Sequence, residues 1–342
     1  MKSEENSHII KMNLDDFDYY LPKELIAQEP AEPRTNSRLM VLQGNTITNT
    51  KFYKLIDYLN KGDVLVLNET KVIRSRIKGK KSTGGKIELM LEDNKGTAMV
   101  KGKVKQGDIL FFPKKIEGRI LEKNENKLKV EFNKPIDTII RSIGELPTPP
   151  YIKKRLENDS QYQTVYSKKQ GSLAAPTAGL HFDKDLLKKI KNKGVKIAKV
   201  CLHISWDTFL PVRENDFSQH KMHGEYCEIN KKNADIINSA KRLFVVGTTT
   251  LKTLESLSDN SKIIPSKKIS ELFIYPGYKF KLEYTGLITN FHLPRSTLIL
   301  LVSAFYGIKR ILRAYNLAVK QKYRFYSLGD AMLLLRENSH PQ

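Results

Sequence analysis

GDVLVLNETKVI, at residues 62–73, is the first of several short apolar runs that are separated by glycine, aspartate and asparagine. The runs that follow it are GGKIELMLEDNKG (84–96), TAMVKGKV (97–104), QGDILFF (106–112) and EGRILEKNENKLKVEF (117–132). Alternating runs of about four to eight residues with turn residues between them are typical of a small antiparallel barrel or sandwich. The series ends near GELPTPPYI (144–152), whose three prolines suit a linker or a re-entry into another domain.

Helices and strands alternate in the sequence after this all-β segment. The predicted elements are DKDLLKKIKNKG (183–194, a helix that ends at Gly194), VKIAKVCLHI (195–204, a strand), KKNADIINSAKR (231–242, a helix), LFVVGTTT (243–250, a strand and turn) and LKTLESLS (251–258, a helix). This alternation predicts an α/β domain, and a chain of 342 residues is long enough for two domains. We therefore predict a discontinuous catalytic α/β domain (1–69 and 148–342) with an all-β domain (70–147) inserted into it.

The chain is strongly basic, with 59 lysines and arginines against 37 aspartates and glutamates, and its formal net charge is +22. Such a charge favours polyanionic partners, above all nucleic acids, because cationic side chains contact phosphates and release their counterions. A general enrichment in lysine would give the same balance. The segment IKRILRAYNLAVKQKYRFYSL (308–328) holds six basic residues and no acidic one, with aromatic residues between them. It is typical either of a surface that contacts phosphates and bases or of an amphipathic helix packed by its tyrosines.

The sequence carries no sign of export or of a membrane span. MKSEENSHIIKMNLDD (1–16) lacks the apolar core of a signal peptide, and the longest apolar run, TLILLVSAFYGI (297–308), is too short to cross a bilayer. A content of only two cysteines, Cys201 and Cys227, is typical of a reducing compartment. We therefore expect a cytoplasmic protein that has no membrane partner.

CLHISWDTF (201–209) contains the residue types of a hydrolytic triad, namely His203, Ser205 and Asp207. The stretch continues a β-branched run that predicts a strand, in which His203 and Asp207 would stand about 13 Å apart at roughly 3.3 Å per residue. A triad needs the imidazole between the hydroxyl and the carboxylate, whereas here the serine lies in the middle. The pattern therefore excludes a local Ser-His-Asp triad.

HKMHGEYCE (220–228) groups four residues of types that commonly bind zinc, His220, His223, Glu225 and Cys227. In an extended segment the last three would share one face. The spacing matches no established zinc motif, and histidine and glutamate also act as a general acid and base without a metal. A metal-dependent hydrolase and an enzyme that uses these residues for proton transfer alone both stay open at this point.

Three further stretches place small or polar residues where a strand or loop meets a helix. They are GSLAAPTAGLHFDKDLL (171–187), VVGTTTLKTLES (245–256) and LITNFHLPRSTLILLVSAF (287–305). Backbone N–H groups at a helix start can hold a carboxylate or phosphate, and Asn290, His292 and Ser296 would line a cleft if the strand end opens on one. A packing loop capped by Asp183, or a plain capped turn, accounts for the first two stretches as well.

Nine blocks, spread over nearly the whole chain, resemble the family of S-adenosylmethionine:tRNA ribosyltransferase-isomerases of queuosine biosynthesis. They are LPKELIAQEPAEPRTNSRLMVL (21–42), GDVLVLNETKVI (62–73) with GGKIELML (84–91), GELPTPPYI (144–152), YQTVYSKKQGSLAAPTAGLHF (162–182), HKMHGEY (220–226), VVGTTTLKTLES (245–256), FIYPGY (273–278), ITNFHLPRSTLILLVSAFYG (288–307) and YRFYSLGDAML (323–333). The resemblance implies an α/β protein whose catalytic domain is barrel-like and carries an inserted small all-β barrel domain.

The resemblance also implies the reaction. S-adenosylmethionine gives its ribosyl group to 7-aminomethyl-7-deazaguanine at the wobble position of tRNA, and the products are epoxyqueuosine-tRNA, adenine and methionine. The sulfonium acidifies the neighbouring C5′ hydrogen, so the protein has to position the substrates and move protons. S-adenosylmethionine and tRNA are thus the expected partners, with no prosthetic group and no metal, and we expect a monomer.

Candidate site residues follow from the matching blocks and their neighbourhood. For proton transfer they are His181, His203, His223, Glu225 and His292. For binding the ribosyl donor they are Ala175, Thr177, Gly179, Gly247, Thr248, Thr249 and Asn290. For holding a carboxylate or the tRNA they are Arg34, Arg38, Arg213, Lys322 and Arg324.

The chain departs from the family pattern at two places. Relatives usually carry His-Val-Gly-x-Gly-Thr-Phe where this chain has Ser205, Trp206 and Asp207, and Lys252 stands where an arginine is usual. Glycine permits a positive φ or a close approach of a ligand, which bulkier side chains obstruct, and lysine replaces a planar fork by a point charge. A catalytically impaired tRNA-binding relative is therefore an alternative to the active enzyme.

Overall fold

A computed structural model describes residues 13–125, 127–154, 156–205, 217, 222 and 224–336. Within them the strands are β1 (Arg38–Gln43), β2 (Thr46–Lys51), β3 (Val64–Asn68), β4 (Thr70–Val72), β5 (Arg76–Lys81), β6 (Lys86–Leu91), β7 (Thr97–Lys101), β8 (Ile109–Phe112), β9 (Ile116–Asn124), β10 (Lys127–Phe132), β11 (Lys169–Ser172), β12 (Lys196–Leu202), β13 (Glu225–Ile229), β14 (Leu243–Val246), β15 (Ser258–Asp259), β16 (Lys262–Ile263), β17 (Ser266–Ser270), β18 (Gly286–Asn290) and β19 (Ala331–Leu335). The α-helices are α1 (Ile136–Ile143), α2 (Lys184–Asn192), α3 (Lys231–Asn238), α4 (Thr248–Ser256), α5 (Thr297–Tyr306) and α6 (Ile308–Lys320). Short 3₁₀ helices span Leu14–Phe17, Lys23–Leu25, Arg34–Asn36, Phe52–Tyr58, Asp159–Tyr162 and Thr177–His181.

A nine-stranded mixed sheet forms the centre of the α/β unit, in the order β17-β13-β12-β3-β14-β18-β19-β1-β2. The adjacent strands β12, β3, β14 and β18 run parallel, whereas β19 is antiparallel to β18 and parallel to β1. Strands such as VLVLN (64–68) are buried along their whole length, as expected for parallel strands that are covered on both faces. The predicted α/β class is confirmed.

The two faces of this sheet bury separate apolar clusters, because side chains alternate along each strand. From β3, Val64 and Val66 pack in the cluster that contains the apolar residues of α3, α4, α5 and α6. Leu65 and Leu67 pack in the other cluster, which contains the apolar residues of α2. Helices α2 and α6 therefore lie on opposite faces of the sheet.

The predicted all-β segment folds into a closed six-stranded barrel in the order β10-β7-β6-β5-β8-β9, so this prediction is confirmed. Ile136 and Ile139 of helix α1 pack into the apolar core of this barrel. Gly79 allows β5 to approach β8, since a Cβ at this position would stand 2.6 Å from the carbonyl oxygen of Phe111. The barrel strands all fall within 70–147, whereas β4 pairs with β11 instead of the barrel. The domain boundaries themselves stay a prediction.

The longest apolar run of the sequence becomes helix α5, which is buried along most of its length. Its N-cap residue is Ser296, whose Oγ accepts a hydrogen bond from the backbone N–H of Ile299 (3.4 Å). In the part of the chain that the structure describes, no helix combines the length and the apolar character needed to span a membrane.

Candidate active site

The carboxyl ends of the parallel strands β12, β3, β14 and β18 meet at one edge of the large sheet. Because β19 is antiparallel to β18, the residues that precede β19 reach the same edge. A cleft, which we call the main cleft, opens there. It is lined by Ala175, Pro176, Thr177, Ala178, Ile204, Gly247, Thr248, Thr249, Thr289, Asn290, Phe291, His292, Leu298, Tyr326 and Ser327. The three polar stretches identified in the sequence therefore meet in one cleft.

The start of α4 forms one wall of the main cleft. Gly247 precedes the helix with a φ of +90°, a conformation that glycine adopts without steric cost, and it offers no side chain to cap the first turn. Asn68, at the end of β3, donates from Nδ2 to Thr249 Oγ1 (3.3 Å) and to the carbonyl oxygen of Leu202 (3.1 Å). The N–H groups of this turn, at the positive end of the helix dipole, suit an anionic group.

Asn290, at the end of β18, is held in place through its amide nitrogen. Nδ2 donates to Nε2 of His181 (3.2 Å) and to the carbonyl oxygen of Tyr326 (3.1 Å). His181 Nδ1 in turn lies 2.8 Å from Ser37 Oγ. Because Nε2 accepts, the neutral ring carries its proton on Nδ1 and donates it to Ser37. Asn290 Oδ1 is buried without a hydrogen-bond partner among the described residues, so it is an acceptor that a bound molecule could use.

His181 itself is a buried residue that reaches the main cleft through Asn290. Its ring stacks on Phe52, with ring centroids 4.9 Å apart. Burial lowers the pKa of His181 from 6.5 to about 4, which keeps the imidazole neutral at physiological pH. This position suits a residue that orients Asn290 rather than one that contacts a substrate.

His292 lines the main cleft directly. Its Nδ1 lies 3.1 Å from the phenol oxygen of Tyr315, which also accepts from the His292 backbone N–H (3.1 Å), and its Nε2 lies 3.2 Å from Thr289 Oγ1. The backbone N–H already donates to the phenol oxygen, so the phenol proton is free to donate to Nδ1 and the ring proton lies on Nε2. Burial lowers the pKa of His292 from 6.5 to about 3. His292 is therefore a neutral hydrogen-bond donor and acceptor.

A second cavity, the side cavity, adjoins the main cleft and shares Thr248, Thr249 and Leu298 with it. Glu225 at the start of β13 and Lys252 of α4 both line it. Lys252 Nζ lies 2.8 Å from Glu225 Oε2, and Glu225 Oε1 accepts from the backbone N–H of Ser205 (3.1 Å). Both side chains are buried, so the cavity wall holds a compensated carboxylate next to the main cleft.

His203 lies just after β12, against the β4–β11 pair. Its Nδ1 is 2.7 Å from Thr70 Oγ1, and its ring stacks on Tyr226 with centroids 5.5 Å apart. The neighbouring residue Gly171 leaves room for the ring, since a Cβ there would stand 2.8 Å from His203 Nε2. Burial lowers the pKa of His203. The lining residues of the main cleft and of the side cavity do not include it.

The predicted arginines make contacts within the protein. Arg34 donates from Nη1 to the carbonyl oxygen of Gln163 (2.8 Å) and from Nη2 to that of Ser160. Arg38 pairs through Nε with Asp330 Oδ2 (3.1 Å) and donates from Nη1 to the carbonyl oxygen of Gln321 (2.9 Å). These bonds give both guanidinium groups a role in holding loops together.

The predicted residues near β19 differ in exposure. Arg324 Nη2 lies 3.6 Å from the buried Asp330 Oδ1, and its backbone N–H donates to Asp330 Oδ2 (2.8 Å). Lys322 is exposed, and its carbonyl oxygen accepts from Arg38 Nη2. Arg213 lies outside the described residues.

Packing explains why a glycine stands at position 179, where the sequence predicts a residue that binds the donor. Ala175 and Thr177 line the main cleft, whereas Gly179 lies against Tyr166. A Cβ at 179 would stand 1.9 Å from the phenol oxygen of Tyr166, which is buried without a partner among the described residues.

Two of the four residues of the proposed metal cluster, His220 and His223, lie outside the described residues, as do Trp206 and Asp207. Glu225 and Cys227 lie two positions apart in β13 and therefore share a face, as predicted. Glu225 pairs with Lys252, and burial raises the pKa of the Cys227 thiol. Among the residues that the structure describes, no group of three or more histidine, cysteine, aspartate or glutamate side chains could hold a metal ion.

Several residues of the site are not predicted by the sequence patterns. They are Asn68, Thr289, Tyr326, Ser327 and Asp330. All five lie in the blocks that resemble the family, and the position of Asn68 at the end of a predicted strand is a further signal. In the sequence Lys252 stands out only as a departure from the family pattern, which does not predict its pairing with Glu225.

Comparisons with known proteins agree with this architecture. A family model described as "Queuosine biosynthesis protein" matches residues 14–334. The S-adenosylmethionine:tRNA ribosyltransferase-isomerase of Carboxydothermus hydrogenoformans is 45% identical over 339 residues, which cover 95% of this chain and 100% of the relative. The enzyme of the same name from Fusobacterium nucleatum is 46% identical, with 94% of this chain and 96% of the relative covered.

A solved structure is also similar. The crystal structure of S-adenosylmethionine tRNA ribosyltransferase from Thermotoga maritima matches with a TM-score of 0.54 and 36% identity, covering 94% of this chain and all of that one. These similarities support the transferase prediction and give no support to a metal-dependent hydrolase. The chain belongs to the S-adenosylmethionine:tRNA ribosyltransferase-isomerase family of queuosine biosynthesis.

Proposed function

We propose that the main cleft binds S-adenosylmethionine and that its ribosyl group is transferred there to 7-aminomethyl-7-deazaguanine in tRNA, with release of adenine and methionine. The observation that carries this proposal is the meeting of residues 175–178, 247–249 and 289–292 at one cleft. We place the reaction in the cytoplasm and assign it to a monomer.

The methionyl carboxylate of the donor lies at the start of α4 in this proposal. The first-turn N–H groups beside Gly247 favour an anion, and Thr248 and Thr249 add hydroxyl groups to the same wall. Asn68 supports this arrangement because its amide contacts Thr249 Oγ1. Lys252 does not bind this carboxylate, because its charge is already compensated by Glu225.

The adenosyl part of the donor contacts Asn290. The unpaired Oδ1 atom is the acceptor, and the donor carries suitable hydrogens on the adenine amino group and on the ribose hydroxyls. His181 fixes the direction of this oxygen because it accepts from Nδ2 of the same amide. Ala175 and Thr177 line the same cleft from the segment that precedes α2.

Proton transfer is assigned to the groups at the cavity walls. Glu225 is the base for the acidified C5′ hydrogen, since Lys252 holds its carboxylate beside the main cleft. His292 assists the departure of adenine as a neutral donor through Thr289. His181 and His203 act as positioning residues, and His223 remains a candidate for the second proton transfer.

A single-turnover assay tests this proposal. The protein is mixed in excess with tRNA that bears 7-aminomethyl-7-deazaguanine and with S-adenosylmethionine, and the released adenine and methionine are measured. We expect both products in amounts equal to the tRNA modified. Binding of tRNA and S-adenosylmethionine without release of either product would refute the enzyme and support the impaired relative.

A further inference from the structure

The region from Tyr284 to Gly329 contains no acidic residue in 46 positions but seven lysines and arginines. It includes α5, α6 and the loop that leads into β19. Two of the seven pair with acids outside this region, Arg295 with Asp15 and Arg324 with Asp330. Helix α6 carries four of the other five. A uniform lysine enrichment does not by itself explain such a local separation of charges.

The basic residues of α6 form one exposed stripe. Lys309, Arg313 and Lys320 recur at helical spacing, and all three are exposed. The opposite side of the helix is apolar, with Ile311 and Tyr315 fully buried against the large sheet. We call Lys309, Arg313 and Lys320 the α6 stripe.

The α6 stripe has no acidic partner in the part of the chain that the structure describes. None of its three residues forms an ion pair with an acidic side chain among the described residues. Lys309 lies in the first turn of α6, at the positive end of the helix dipole, where a cation is unfavourable. The stripe therefore adds nothing evident to the stability of the helix, whereas an external anion would compensate it.

The α6 stripe leads towards the main cleft. The helix ends at Lys320, and Arg38 fixes the following turn by donating to the carbonyl oxygens of Gln321 and Lys322. The Arg38 guanidinium also stacks over the ring of Tyr323, 4.0 Å from its centroid. A few residues later, Tyr326 lines the main cleft. The stripe and the proposed reaction site are thus joined through one tightly held loop.

We infer that the α6 stripe, continued by Lys322, binds the phosphate backbone of the tRNA substrate beside its wobble nucleotide. From Lys309 to Lys320 the helix rises by about 16 Å at roughly 1.5 Å per residue, which is long enough to contact several phosphates. This inference rests on the proposed function, because the tRNA has to present its wobble base to the main cleft. Charge complementarity and continuity with that cleft favour this partner.

The test compares two triple variants that remove the same number of cations. Lys309→Gln, Arg313→Gln and Lys320→Gln neutralise the α6 stripe. Lys184→Gln, Lys188→Gln and Lys191→Gln neutralise exposed lysines of α2, on the other face of the large sheet. Both variants lower the formal net charge of +22 by the same three units. The Kd for labelled tRNA with 7-aminomethyl-7-deazaguanine is measured by fluorescence anisotropy from about 50 to 200 mM KCl.

The α6 variant should bind the tRNA at least about tenfold more weakly at low salt, and the slope of log Kd against log KCl should fall by about 2 to 3. The α2 variant should bind within about twofold of the parent. At saturating tRNA both variants should release adenine at the parent rate in a single turnover, which keeps a failure of this inference separate from a failure of the proposed reaction. Equal losses in both variants, or an unchanged salt slope in the α6 variant, would overturn the inference. So would loss of binding to phosphatidylglycerol vesicles in the α6 variant with unchanged tRNA affinity.

Discussion

Lys252 Nζ lies 2.8 Å from Glu225 Oε2, and the two buried side chains join α4 to β13 at the wall of the side cavity. A buried ion pair contributes little net stability, but the loss of one partner leaves an uncompensated charge. The pair therefore fixes the position and the charge of the carboxylate that we propose as the base. It also gives the lysine at this position a specific role.

We predict that Lys252→Met lowers the free energy of unfolding by about 3 to 5 kcal/mol, because Glu225 then remains buried without its cation. Urea denaturation measures this loss. The double variant Glu225→Gln with Lys252→Met should recover most of the stability but not the adenine release. Lys252→Arg should retain both, since a guanidinium can reach the same carboxylate. A Lys252→Met protein as stable as the parent would contradict the role of the pair.

We predict that His181 makes the protein less stable as the pH falls. Unfolded histidine binds a proton near pH 6.5, whereas burial lowers the pKa of folded His181 to about 4, so the unfolded state binds more protons between these values. The contribution of His181 to the free energy of unfolding is present in full above pH 6.5 and is lost as the pH falls towards 4. At pH 5 the loss from this residue is about 2 kcal/mol relative to pH 8.

Urea denaturation at pH 8 and pH 5 checks this prediction. The difference between the two pH values should be smaller by about 2 kcal/mol in His181→Gln than in the parent protein. Other titrating groups affect both proteins alike, so the comparison isolates the histidine. Equal pH dependence in the two proteins would show that the ring is not buried in its neutral form.

We predict that Asn290→Ala weakens the binding of S-adenosylmethionine by about 10- to 100-fold, because an unpaired acceptor and the amide bonds to His181 and Tyr326 are lost together. The KM for S-adenosylmethionine in the adenine-release assay and equilibrium binding both report the change. The Kd for tRNA should stay at the parent value. Asn192→Ala, at the exposed end of α2, is the control and should leave both constants unchanged.

We predict that Gly179→Ala destabilises the fold by steric overlap with Tyr166 rather than by loss of a ligand contact. The added Cβ would stand 1.9 Å from the phenol oxygen. Overpacking of this kind costs about 1 to 3 kcal/mol. Tyr166→Phe alone should be neutral or stabilising, because the buried hydroxyl has no partner among the described residues.

The two changes combined give the decisive comparison. Gly179→Ala should cost less in the Tyr166→Phe background, since the nearest atom of the overlap is then absent. Thermal unfolding of the four proteins measures the difference. An equal cost in both backgrounds, together with a raised KM for S-adenosylmethionine, would instead favour the original prediction that Gly179 binds the donor.

The sequence predicted those elements whose pattern is set by their own residues. The alternating runs between 84 and 132 predicted the barrel strands, because each strand buries every second side chain on one face. Asp183 was a candidate cap for the predicted helix, and it does cap α2 by accepting from the backbone N–H of Leu186 (2.7 Å). Helix α4 begins three residues before the predicted start at Leu251, since the threonines that were assigned to a turn form its first turn.

The sequence also determined which stretches belong to the site, because the matching blocks contain most residues that line the main cleft. Only the tertiary structure decided what each residue does within it. Asn290 and His181 are 109 positions apart, and Lys252 and Glu225 are 27 apart, so no local pattern predicts that they bond. These partners are set by the order of the strands in the sheet. The order brings four carboxyl ends to one edge, and burial there decides which side chains are held internally and which face a ligand.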